Sequence, residues 1–246
     1  MKKILIASGT LLTVVVLTII WGRSGEAPSR EGLVENYPSV GIKSDRPENK
    51  KILCPFLRTV ERAGLLDAYK SVKSYKTPMF QLIKAAQTFG CGMLECGAVA
   101  AKVSKGQKRT LGQDFGYISL EKLHKAEGVS HECGFTFAKG GTQVSDRVRA
   151  NTFSRLVAKS NDKGQLSYQD LLETKMEICQ AQNVEISDPG RVEVKLIFAY
   201  LGGVERGYVD LDDVKRLFHA EMPKYKTARW IRFDLFKELD QKFTSK

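Results

Sequence analysis

Histidine is scarce in this chain: His124, His131 and His219 are the three among 246 residues. So few exclude a cage of several imidazoles around a metal. No two of the five cysteines stand in a Cys-x-x-Cys pair, which argues against a structural zinc site. Strand signals are few, and the fold class we read is mainly α. The net charge is +11, yet no basic helix interleaved with aromatics and no nucleic-acid motif accompanies it, so we read it as a solvated basic surface. Hydrophobic residues make up 42% and charged residues 27%, values that exclude a disordered chain.

What is present begins with an apolar run. Lys2 and Lys3 precede residues 4–21, broken by Ser8, Gly9, Thr10, Thr13 and Thr18. About 18 residues at a helical rise span roughly 27 Å, close to a bilayer core. No strong small-x-small cleavage site follows Trp21. Residues 1–22 are therefore expected to be a signal-anchor, with a cleaved signal peptide as the alternative. Lys2 and Lys3 outweigh Arg23, which leans toward a cytoplasmic N-terminus and a main domain across the membrane, or a secreted one after cleavage. Residues 23–50, rich in Gly, Ser, Pro and charge, read as a linker, and residues 51–246 as one domain.

The five cysteines are Cys54, Cys91, Cys96, Cys133 and Cys179. In an oxidising compartment an odd number leaves one thiol unpaired or bound to something. Cys91 and Cys96 are spaced for a local disulfide; the competing reading makes all five small buried hydrophobes.

Helical spacing starts at Phe56, with Leu57, Val60, Leu65 and Leu66, and Gly64 breaks it. Residues 79–104 read as a long buried helical region split near Gly90 and Gly92. Residues 118–127 predict a short helix opened by Ser119, and 129–142 a Gly- and aromatic-rich loop. Ser145 reads as the cap of a helix through Lys159, with Val148, Thr152, Leu156 and Phe153 inward. Further helices are expected over 167–182, 191–200, 211–218 and 230–243.

Residues 164–170 and 207–213 echo one another: a glycine, an aliphatic residue two on, an acid six on. This is the second half of an EF-hand loop. In the first half the opening ligand position falls on Lys159 and Gly202, and the fifth on Lys163 and Arg206, where cations repel calcium. A turn followed by a capped helix accounts better for both copies. An EF-hand-like interaction module without cofactor is the rival reading of the chain.

Three stretches carry chemistry. Cys54-Pro55 offers a soft thiolate, Ser130-His131-Glu132 an imidazole, and Val192-Glu193 a carboxylate among Val194, Leu196, Ile197 and Phe198. Unpaired and buried, Glu193 is expected to have a raised pKa. Lys195 points to another face of the helix.

Residues 51–66 (Lys-Ile-Leu-Cys-Pro-Phe-Leu-Arg-Thr-Val-Glu-Arg-Ala-Gly-Leu-Leu) resemble the segment that carries the proximal cysteine in the haem-thiolate peroxidases, the chloroperoxidase and unspecific peroxygenase family. Residues 118–136, a leucine-bearing helix leading into Ser-His-Glu and a polar-aromatic loop, resemble that family's next landmark. Residues 191–199 (Arg-Val-Glu-Val-Lys-Leu-Ile-Phe-Ala) resemble its distal-glutamate segment. The resemblance spans about residues 50–220 at low identity. It implies a single helical domain of that kind behind the N-terminal membrane helix. It implies an oxidoreductase that uses haem b and hydrogen peroxide on a small organic substrate or a halide. Cys54 would bind the iron as a thiolate kept ionised by a helix N-terminus. Glu193 would be the acid–base and His131 would orient it. Phe135, Phe137 and Phe198 would line the pocket, ordinary core packing being the alternative. A non-catalytic relative is a further alternative. The chain departs from the family at Leu53, in place of a proline, and at Ser130, Glu132 and Gly134, in place of a glutamate, an aspartate and a serine. These last three bear on a structural Mg or Mn ion, for which Glu132 is the remaining candidate ligand.

Overall fold

The computed structural model describes residues 46–66, 76–227 and 229–243. The apolar run 4–21 and most of the linker lie outside them. Among the described residues no helix is long and apolar enough to cross a membrane.

Helix α1 (Pro55–Arg62) follows Cys54, with proline in its first turn, where no N–H partner is lost. Gly64, at φ +77°, ends it as the spacing predicts. Strand β1 (Lys76–Pro78) leads into α2 (Met79–Thr88), and α3 (Met93–Leu111) follows after the break at Gly90, whose φ of +92° a side-chain-bearing residue rarely adopts. The 118–127 segment is a short strand, β2 (Tyr117–Ser119), and then a 3₁₀ turn, Leu120–Lys125. β1 and β2 pair antiparallel, Pro78 opposite Tyr117.

The second half is built on capped helices. Ser145 accepts from the Val148 amide to open α4 (Asp146–Lys159). Ser167 and Asp170 form a capping box on α5 (Tyr168–Gln180). Ser187 caps α6 (Asp188–Tyr200), with Pro189 in its first turn. A short α7 (Gly203–Arg206), then α8 (Leu211–Phe218) and α9 (Phe233–Phe243), complete the order. On α4 the inward positions are Thr152, Leu156 and Arg149, while Val148 and Phe153 are half-buried.

The echoed segments meet. Strand β3 (Gln165–Leu166) pairs antiparallel with β4 (Val209–Asp210), Leu166 opposite Val209. Two helix–loop–helix units thus face each other through their loops. Both loop glycines, Gly164 and Gly207, are left-handed. The first copy is the turn and capped helix expected; in the second, Asp210 stands at the cap position without a capping bond, its carboxylate accepting instead from Arg206 Nη1 at 2.7 Å. The core runs through both halves and includes Val60, Phe89, Leu156, Leu171, Val194 and Leu217. Each such side chain stabilises by roughly 1.5–3 kcal/mol. Helices α5 and α6 pack on one another, which brings residues of separate chain segments to one place.

Candidate functional site

The odd cysteine count is resolved by pairing. Cys91 bonds Cys96, Cys133 bonds Cys179, and Cys54 is the free cysteine. The first bond is the local one the spacing allows. The second joins the His131 loop to α5.

Cys54 sits at the cap position of α1 in extended backbone. Its approach segment is clamped by Arg58, whose guanidinium is fully buried. Arg58 Nη1 donates to the carbonyls of Ile52 and Leu53 at 2.8 and 3.2 Å, and Nη2 donates to Phe218 O at 2.9 Å. Arg58 Nε pairs with Glu48 Oε1 at 2.8 Å. The backbone immediately before the sulfur is thereby fixed. Burial pushes the Cys54 thiol up to about 11, further than the Leu57 and Phe56 N–H groups and the Arg58 charge can draw it down; the charge of Glu193 adds to the rise. A thiolate kept ionised by the helix end is therefore corrected: without a metal, Cys54 carries its proton.

Glu193 lies on α6, close enough to Cys54 for their charges to interact. It is not unpaired. His131 Nε2 stands 3.3 Å from Glu193 Oε2, a close contact without hydrogen-bond geometry. Lys175 Nζ, on α5, donates to the same oxygen. Burial raises the Glu193 pKa, but the Lys175 ammonium and the neighbouring His131 outweigh it and hold the carboxyl at about 2. The expected upward shift is thus reversed, because the cost of burying one charge is offset by a second one beside it.

Lys175 is fully buried. Its ammonium also donates to Cys133 O at 2.7 Å and lies 5.0 Å from the centre of the Phe135 ring. Burial lowers its pKa and Glu193 opposes that.

The other nominated residues divide. Phe137 packs against His131, ring centres 5.3 Å apart. Phe135 stacks on Phe218 as well as lying under Lys175. Phe198 packs edge-on to Tyr168 inside the core. Glu132 is exposed, with Lys139 Nζ at 3.9 Å. Among the described residues no group of three or more His, Cys, Asp or Glu side chains could hold a metal ion. A Cβ at Gly134 would stand 2.0 Å from the Phe137 ring, so a serine there would displace the ring that supports His131.

Lys175 escaped the sequence reading, although a signal exists: it lies three or four residues from Leu171, Leu172, Ile178 and Cys179, on the apolar face of its helix. Arg58 likewise sits within a helix of buried residues. The Cys133–Cys179 bond had no local signal.

No protein-family model and no curated protein matches the chain. The donor set suits a haem in its ligand chemistry: one soft, free sulfur at the start of a helix, with a carboxylate near enough for their charges to interact. Ligation would release the thiol proton, as a coordinated metal does.

Proposed function

We propose that the chain is a haem-thiolate peroxidase or peroxygenase, acting with hydrogen peroxide on a small organic molecule or a halide. One observation carries this reading. The free thiol Cys54 and the ionised Glu193, paired with His131, come from distant segments and gather at one place.

The haem, when bound, supplies an iron that activates peroxide, with electron density pushed from a thiolate. Cys54 would hold that iron. Arg58 keeps the chain before Cys54 in position. Glu193, held as a carboxylate, accepts a proton from peroxide and returns it to the departing oxygen. His131 restricts the carboxylate on one side. The structural Mg or Mn ion draws no support from Glu132, whose neighbour is a lysine. The reading includes an extracytoplasmic domain, tethered by residues 4–21 or released by cleavage. Two disulfides support it, since such bonds persist in oxidising compartments.

The β3–β4 pairing favours a second reading, a calcium-free EF-hand-like interaction module. There the Lys159 ammonium pairs with Glu173 and Glu177 at 2.9 and 3.0 Å instead of leaving space for calcium. The absorption spectrum of the full chain, purified with haem available, reduced and exposed to carbon monoxide, decides between them. A strongly red-shifted Soret band that disappears in Cys54→Ala is expected. Absence of haem, or a spectrum typical of histidine ligation, rejects the peroxidase reading and leaves the module.

A further inference from the structure

We infer that Lys175 is a positioning residue: with His131 it takes Glu193 Oε2, and so assigns the proton-carrying role to Oε1. The inference rests on the function proposed above and adds a residue to it.

Both contacts fall on one oxygen. Among the described residues Oε1 makes no hydrogen bond. A carboxylate anchored by one oxygen cannot rotate freely, and its other oxygen keeps a fixed direction. Lys175 itself is fully occupied by Glu193, Cys133 O and the Phe135 face. It is buried, so it acts through Glu193 and does not reach a substrate.

The lysine is held at both ends. Cys179, one turn further along α5, is bonded to Cys133, whose carbonyl accepts from the Lys175 ammonium. The helix bearing the cation and the loop bearing His131 are thus fastened together beside Glu193. The charged and titratable groups facing Glu193 are His131 from the loop, Lys175 from α5, and Cys54 and Arg58 from the α1 region. Of these groups, Lys175 is the one that donates a hydrogen bond to the carboxylate from a fully buried position.

The test is the protonation midpoint of the Glu193 carboxyl, read by carbon-13 NMR of glutamate-labelled full chain, with Glu193→Gln identifying the signal. Lys175→Gln is expected to raise the midpoint by about one pH unit or more, and Lys175→Arg to leave it low. In the haem-loaded chain the acid limb of kcat against pH is expected to rise with it. A carboxyl midpoint or an acid limb that stays in place in Lys175→Gln overturns the inference. If Lys175→Gln does not fold, Glu193→Gln carries the test: the Lys175 ammonium should then titrate lower, because the coupling is reciprocal. An unchanged ammonium overturns the inference. A wild-type chain without haem would reject the proposed function while the carboxyl titration still reports on Lys175.

Discussion

His131 Nε2 and Glu193 Oε2 stand 3.3 Å apart, one on a loop between helices and the other on α6. In a peroxide-using enzyme, such a contact keeps a carboxylate aimed. In the haem-loaded chain, Glu193→Gln should lower kcat by about 100-fold or more, the usual range for a lost acid–base group. His131→Ala should lower it less, by roughly tenfold, since Lys175 still holds Oε2. Steady-state kinetics of both variants, with haem content measured, checks this; equal losses would assign His131 a direct role.

Cys54 should be a slow nucleophile. Its thiol is pushed up to about 11 by burial, so little thiolate exists near neutral pH. Alkylation of the folded chain should remain slow at pH 8 and rise only as pH approaches 11, and bound haem should abolish it. The sign for stability follows. The unfolded thiol ionises near its ordinary 9.0 and the folded one only near 11, so the contribution of the buried thiol to stability is present below pH 9 and is lost as pH rises through 11. Alkylation at the rate of an unfolded peptide at pH 8 would contradict the burial argument.

Glu193 acts in the opposite window. Its folded pKa, about 2, is below the ordinary 4.5. Its contribution to stability is therefore present above pH 4.5 and lost as pH falls through 2. Glu193→Gln should flatten the acid dependence of unfolding in this interval, measured by urea titration at several pH values. An unchanged slope would mean that the Lys175 contact is not maintained in solution.

Arg58→Met should destabilise the chain by about 3–5 kcal/mol. It removes one of the two arginines paired with Glu48, and it removes donors to three buried carbonyls, those of Ile52, Leu53 and Phe218. Glu48 keeps Arg149 Nη1 at 2.9 Å, which limits the loss. Because two of those carbonyls precede Cys54, alkylation of the thiol should speed up at a denaturant concentration that leaves the chain folded. Urea unfolding and thiol kinetics check both effects.

The helices were legible because their signals are local. Ser145, Ser167 and Ser187 accept from amides three residues ahead, and Gly64 and Gly90 end helices through their own backbone angles. Cys54, His131 and Glu193 could be nominated together through the resemblance of their segments to those of the haem-thiolate peroxidases. The state of Glu193 could not be read this way, because an apolar run along a helix does not show what packs on it from another helix. Lys175 and His131 together reverse the expected shift, Lys175 making the larger electrostatic contribution, and Lys175 reaches Glu193 only through the packing of α5 on α6.

By itself, then, the sequence determined the mainly helical class and the breaks and caps, and its resemblance nominated the three residues worth testing. It also determined that five cysteines must leave one over. Which one is left, which carboxylate oxygen is engaged, and that two echoed loops pair as β3 and β4 were decided by tertiary structure. The physical reason is range. Caps and turns are settled within a few residues. A disulfide, a buried ion pair or a two-residue strand pair exists only after distant segments are brought within a few ångströms.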